Sequence, residues 1–208
     1  MAAKIPPAGE PDADWILLAR AAGGDEDAFT TLVESHQERL VGLCWRWTGD
    51  REAARDAAQE VFLKAFRHAA RVEPRGRFYT WLYRIAINHC LNSLRRRRIA
   101  RFFSLQGLGA AGSEQQDGAG NAFDPADEGP DAERTLLARE RWCATREHLD
   151  LLPENQRAVV ILARFEGLSG REIAETLGIT EGAVESRLVR AMRRLAPQEE
   201  RAQRVPVR

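Results

Sequence analysis

Trp81, Arg84, Asn88, Asn92 and Arg95 recur at intervals of three or four residues inside "FYTWLYRIAINHCLNSLRRRR", which runs from Phe78 to Arg98. On a helix that spacing gathers them into one narrow polar wedge. The chemistry on offer is recognition rather than bond making. An indole set among guanidinium and amide groups can stack on an unpaired base while its neighbours hold phosphate. An aromatic in this position equally suits the edge of a core, and this helix alone does not choose between the two. His89 beside Cys90 pairs two metal-ligand types. However, Cys44, Cys90 and Cys143 are widely separated and make neither a disulfide framework nor a metal knuckle. They are read as structural residues, and the chain is expected to need no metal, no cofactor and no catalytic side chain.

A second constellation lies in "LSGREIAETLGITEGAVESRLVRAMRRL". Ser169 and Glu172 have capping-box spacing, so hydroxyl and carboxylate can satisfy helix-end amides reciprocally. Gly178 stands where a left-handed residue ends a helix. Thr180 caps the next helix, and Ile179 can staple to Val184 across that cap. A short helix, a tight turn holding Gly and a longer helix make a helix-turn-helix. At about 100° per residue, Val184, Leu188, Ala191, Met192 and Leu195 share one side of the last helix. Gly182, Ser186, Arg190 and Arg193 face the other way, with Arg187 and Arg194 on the shoulder. A recognition helix needs one face held by the core and another offering donors to phosphates and base edges.

The elements that must position these residues follow from periodicity. "WILLARAA" reads as a short helix capped by Asp14, and Asp25 caps a long amphipathic one whose Phe29, Leu32, Val33, His36, Leu40, Leu43 and Trp47 keep helical spacing. Asp50 caps the next, with Ala54, Ala58, Val61, Phe62, Ala65 and Ala69 as its core stripe. Glu52, Asp56, Gln59 and Glu60 lie opposite, either as a solvated face or as a surface for a basic protein partner, since DNA would be repelled. In the helix opened by Phe78, an arc of Tyr79, Leu82, Tyr83, Ala86, Ile87, Cys90 and Leu94 is free to pack. The fold class is all-α: two small helical domains joined by a flexible acidic linker. Residues 1–12 form a tail, 13–99 the first domain, 100–131 the linker, 132–197 the helix-turn-helix domain and 198–208 a second tail.

At 208 residues the chain is long enough for two such domains, and 44% hydrophobic with 30% charged residues suits a helical globular protein. Its apolar runs fall far short of the ~20 residues that span a bilayer. With no apolar core near the start to suggest a signal peptide, a cytoplasmic protein without membrane insertion is expected. The formal net charge of zero hides segregation. Acids outnumber bases twelve to five from Glu10 to Glu60, six arginines and no acid occupy Arg84 to Arg101, and seven acids and no base occupy Ser104 to Glu133. A dimeric helix-turn-helix repressor would want a ligand pocket or dimer heptad in the first domain, and none is evident. A nuclease would want its acids clustered near the basic surface, and they lie apart from it.

Together "DAAQEVFLKAF", "FYTWLYRIAIN", "LPENQRAVVILARFEGLSGREIAETLGI" and "GAVESRLVRAMRRL" resemble, in order, the sigma-70 family of bacterial RNA polymerase initiation factors, in particular its extracytoplasmic-function (ECF) group. The resemblance covers most of residues 14 to 196. It implies a non-enzymatic subunit that binds core RNA polymerase and promoter DNA and directs promoter-specific initiation. Asp56, Gln59 and Glu60 would meet the β′ clamp helices, and the β flap is a second contact on the core. Tyr79, Trp81, Arg84 and Asn88 would recognise and melt the −10 element as part of sigma domain 2. Glu185, Ser186, Arg187, Arg190 and Arg193 would read the −35 duplex as part of sigma domain 4. An anti-sigma factor is a further partner that the family brings with it. Three features depart from the family pattern. "VEPRGR" lacks the usual aromatic of the loop that captures a −10 base, and the linker is rich in Gly and Ala. Glu185 stands where many relatives carry Lys or Arg; a carboxylate there can accept from cytosine N4 or simply face solvent.

Overall fold

The computed structural model describes residues 12–105 and 145–202, and among them every regular element is a helix. The linker centre and the start of the second domain (residues 106–144) lie outside the described residues, as do 1–11 and 203–208. The first unit comprises α1 (Ala13–Ala22), α2 (Glu26–Thr48), α3 (Arg51–Ala69) and α4 (Phe78–Leu105). The second comprises α5 (residues 145–150), α6 (Glu154–Arg164), α7 (Gly170–Leu177) and α8 (Glu181–Ala202). α4 continues to Leu105 and α8 to Ala202, so residues 100–105 and 198–202, assigned above to linker and tail, extend helices.

Side-chain caps decide where most of these helices start. Asp25 accepts from Ala28 N at 3.0 Å and Asp50 from Ala53 N at 2.7 Å, each satisfying an end amide of its helix. α1 departs from expectation. Its cap is Asp12, not Asp14: one Asp12 oxygen accepts from Asp14 N at 3.3 Å, and the other accepts from Phe78 N at 2.6 Å. One carboxylate thus starts both α1 and α4. Asp14 is freed to pair with His36 Nε2 at 2.8 Å, and Trp15 Nε1 donates to Gly76 O at 3.0 Å, fastening α1 over the turn that enters α4.

The core of the first unit is built from the predicted stripes. Leu32, Leu40, Leu43 and Trp47 of α2 are fully buried against Ala54, Val61 and Ala65 of α3 and Phe78, Leu82 and Ala86 of α4. Small alanines on α3 let the neighbouring helices approach closely. In the second unit the capping box forms as expected, with Ser169 and Glu172 bonded both ways. Gly178 adopts φ 65°, a conformation that favours glycine, and Thr180 Oγ1 accepts from Ala183 N at 3.2 Å. Val184 and Ala191 of α8 are buried, but Met192, assigned to the same arc, is 37% exposed beside an exposed Val189. The cause is geometric: the packed line runs through Val184, Leu188, Ala191 and Leu195 and stops short of Met192, so the apolar arc is narrower than the projection suggests.

The two units also touch. α4 packs along α7, and this contact determines what the candidate site can reach.

Candidate nucleic-acid interface

The four residues expected at the −10 strand have four different environments. Asn88 is exposed. It lines a cleft of about 1000 Å³ between α4 and the second unit, together with Arg84, Arg95, Arg98, Arg157 and Arg187. Trp81 is half-buried, its ring centroid 5.3 Å from Trp15 and 5.7 Å from Phe78. It is therefore anchored at the core edge while part of the ring stays open. Arg84 is exposed, yet its guanidinium donates to the main-chain carbonyls of Thr176, at 3.1 Å, and Glu175. These are last-turn carbonyls of α7, where unpaired acceptors and the negative helix end favour a cation. Tyr79 donates its phenol proton to Glu172. Burial pushes the Tyr79 phenol up, and the bond to the Glu172 carboxylate adds to that.

Glu172 is thereby shared between two tasks, the α7 cap and the Tyr79 contact. Partial burial pushes its carboxyl up. The bonds from Tyr79 and from the Ser169 amide and hydroxyl, with the charge of Arg77, outweigh this and hold it below the ordinary value.

Glu166, in the turn between α6 and α7, is only 5% exposed. Its carboxylate accepts from Arg46 Nη1 of α2 at 3.0 Å and from Tyr83 Oη of α4 at 2.9 Å. Burial pushes the Tyr83 phenol up, with the Glu166 charge adding to it. Burial pulls the Arg46 guanidinium down, with Glu166 opposing. Around this knot Arg46 lies 4.8 Å from the centre of the Phe165 ring and Arg157 lies 5.7 Å from that of Trp47, both within cation–π range. Arg146 covers Gly49 so closely that a Cβ there would lie 1.3 Å from its Nη1. At the rim Arg95 meets Glu154 at 3.3 Å. Sequence reading named Tyr83 only as part of the packing arc of α4 and did not single out Arg46, Glu154 or Glu166, because a contact between residues far apart in the chain leaves no local period to read.

The surface expected to meet polymerase has a different composition. Asp56, Gln59 and Glu60 are all exposed on α3. Sequence reasoning missed their neighbours Leu63 and Phe66, each 43% exposed, although both fall outside the core stripe and could have been found by that mismatch. Phe66 is steadied by Phe29 at 5.2 Å. Beneath this face Lys64 Nζ lies 2.6 Å from His89 Nδ1. Burial, then the Lys64 charge, hold the imidazole below its ordinary value, which leaves Nδ1 able to accept from Lys64. Among the described residues no cluster of three metal-ligand side chains occurs, and no helix is long and apolar enough to cross a membrane.

On α8 the outer residues Glu185, Ser186, Arg190 and Arg193 are exposed together. Arg187 is half-buried and faces the cleft beside Arg84 and Asn88. It is thus separated from the other four and brought instead toward the α4 set.

Two family profiles match this chain: Sigma-70 region 2 over residues 32–99 and Sigma-70, region 4 over residues 145–195. Among known proteins, the RNA polymerase sigma-H factor of Pseudomonas aeruginosa is 35% identical over 86% of this chain and 89% of its own length. The ECF RNA polymerase sigma factor SigE of Mycolicibacterium smegmatis is 32% identical over 92% of this chain and 69% of its own. Among solved structures, CnrH in complex with the cytosolic domain of CnrY aligns with a TM-score of 0.64 at 27% identity, covering 91% of this chain and 98% of that one. RpoE of Bartonella quintana, solved with the anti-sigma factor NepR, shares the fold with a TM-score of 0.60 at 22% identity over 83% of this chain and 96% of its own.

Proposed function

This chain belongs to the ECF group of the sigma-70 family, and we propose how its two units divide the work of promoter-directed initiation. Domain 2, the first unit, binds core RNA polymerase through α3, where Asp56, Gln59 and Glu60 meet the β′ clamp helices. Its α4 captures the opened −10 strand with Tyr79, Trp81, Arg84 and Asn88. Domain 4, the second unit, contacts the β flap and reads the −35 duplex with Glu185, Ser186, Arg187, Arg190 and Arg193 of α8. No catalytic group is required: opening follows from binding the unpaired state in preference to the duplex. The protein works in the cytoplasm, alongside its polymerase. An anti-sigma factor is a further partner, one that membership of this family brings with it.

The observation that carries this reading is the two-sidedness of α8. Val184 and Ala191 are fully buried while Glu185, Ser186, Arg190 and Arg193 stand exposed on the other side, the arrangement a major-groove helix needs. The test is reconstituted transcription. The purified chain added to core polymerase should yield transcripts from a −35/−10 promoter of its own and lose them when either element is scrambled. Initiation without promoter preference, or none at all, would reject it.

A further inference from the structure

We propose that Asp12 and Trp15 of α1 are positioning residues for −10 recognition and that they act through Trp81. The inference rests on the reading of Trp81 as a −10 strand residue and goes one step further, to what aims its ring. α4 has no acid in its first turn, so its leading amides and positive end need a partner from elsewhere in the chain. Asp12, 66 residues away, supplies one by accepting from Phe78 N at 2.6 Å. Trp15 Nε1 donates to Gly76 O at 3.0 Å, two residues before that amide. Two bonds from one short helix thus hold successive points of the turn, and Trp81 follows about one helical turn later.

The indole that donates to Gly76 also backs the Trp81 ring. Their centroids lie 5.3 Å apart at an interplanar angle of 47°, and Phe78 supports both, 5.3 Å from Trp15 and 5.7 Å from Trp81. His36 backs Phe78 in turn at 5.3 Å, and Asp14 holds the His36 ring through its 2.8 Å contact with Nε2. Trp15 is 7% exposed and Phe78 fully buried, whereas Trp81 stands half-buried at the outer end of this stack. Anchoring α1 does not require such an arrangement. Leu18 and Ala21 already bury that helix in the core, and a hydrogen bond between neutral groups adds only modest net stability. What the directed bonds add is orientation. An indole free to turn has several rotamers open to it, and selecting one on binding costs affinity that a ring set beforehand does not lose. A base stacking on Trp81 then meets a surface of fixed tilt. That lets the neighbouring polar groups discriminate among bases, which a turning ring would blur.

The test uses holoenzyme reconstituted from the full chain and core polymerase, with fluorescein-labelled fork-junction DNA whose single-stranded −10 segment is varied base by base. Trp15→Phe keeps an aromatic ring beside Trp81 and deletes the donor to Gly76. Asp12→Asn, at a half-buried position that risks no core packing, leaves one acceptor oxygen for two amides. Trp81→Ala and the double variant Trp15→Phe/Trp81→Ala complete a cycle. Trp81→Ala should weaken the preferred strand about tenfold, within the range for loss of one base stack. Trp15→Phe should weaken it about threefold to fivefold, as a lost hydrogen bond of ordinary strength would, and Asp12→Asn should act in the same direction. Both should narrow the spread between the best and worst base while −35 duplex binding and co-elution with core match the parent chain, which a general loss of fold would not allow. In the double variant, Trp15→Phe should add nothing to Trp81→Ala. Additive losses, an unchanged base preference in Trp15→Phe and Asp12→Asn, or losses that extend equally to core association overturn the proposal. A Trp81→Ala chain with unaltered −10 binding instead removes the reading of Trp81, and this inference with it.

Discussion

The phenol of Tyr83 reaches the carboxylate of Glu166 at 2.9 Å across the seam between the two domains, and both groups are buried there. A hydrogen bond to a buried charge is among the stronger polar contacts, because removing the donor leaves the acceptor short of a partner in a place water reaches poorly. Tyr83→Phe keeps the ring and its packing and deletes only that donor. It should cost the closed form about 1–3 kcal/mol, read as earlier urea unfolding or, where the domains part to rehydrate Glu166, as a larger scattering radius at unchanged helix content. No change in either measurement would mean that the Tyr83–Glu166 bond does not hold the seam.

Acid should loosen the same seam. The carboxyl of Glu172 is held below its ordinary value by Tyr79, Ser169 and Arg77 despite partial burial. A carboxyl depressed in the folded state contributes stability that is complete above its unfolded value, about 4.3 for glutamate. That contribution fades as pH falls through the lower folded value. Domain separation followed by scattering from pH 7 downward should therefore begin below about pH 4.3 and before bulk helix is lost. Glu172→Gln should remove its share of that transition and lower closure at neutral pH. A pH profile identical to that of the parent chain would count against the role of Glu172.

The local features were legible in the sequence because their causes are local. Asp25 and Asp50, the Ser169–Glu172 box, Gly178 and Thr180 act within four residues of themselves, and periodicity exposes the outer faces of α3 and α8. The seam was not legible, since Tyr83 and Arg46 stand 83 and 120 residues from Glu166, and no spacing rule links them. Asp12 displaced Asp14 as the first cap for the same kind of reason. It is chosen by a tertiary partner, Phe78 N, that sequence does not bring near. Met192 failed because a helical projection gives direction but not how far neighbouring helices extend over a face.

The α3 surface should separate polymerase binding from DNA use. Asp56, Gln59 and Glu60 are exposed beside Leu63 and Phe66, which places apolar area next to acidic groups, the usual make-up of a protein-binding patch. Leu63→Glu should weaken co-elution with core polymerase by tenfold or more, on the order expected when an interface anchor loses its apolar contact, while thermal unfolding stays near that of the parent because the side chain is already half in water. Asn88→Ala should do the opposite, sparing core association and impairing use of the −10 element. Loss of core binding in Asn88→Ala would place that residue on the wrong surface.

Arg190 and Glu185 share the outer side of α8 but should fail differently when removed. A guanidinium on phosphate supplies affinity with little regard to sequence, and each phosphate neutralised steepens the salt dependence by about 0.9 in the log–log slope. Arg190→Ala should therefore weaken binding to all −35 duplexes alike and flatten the slope by roughly that amount. A carboxylate cannot act this way, since it repels phosphate, and its available partner in the groove is the amino group of cytosine. Glu185→Ala should consequently raise affinity for duplexes lacking cytosine at the contacted position and narrow the preference by about 1–3 kcal/mol, with the salt slope unchanged or steeper. Binding isotherms of holoenzyme on a panel of −35 variants at several salt concentrations separate the two effects. Equal losses with equal slopes in both variants would mean that α8 meets DNA through some other face, and the orientation drawn from its buried Val184–Ala191 line would have to be abandoned.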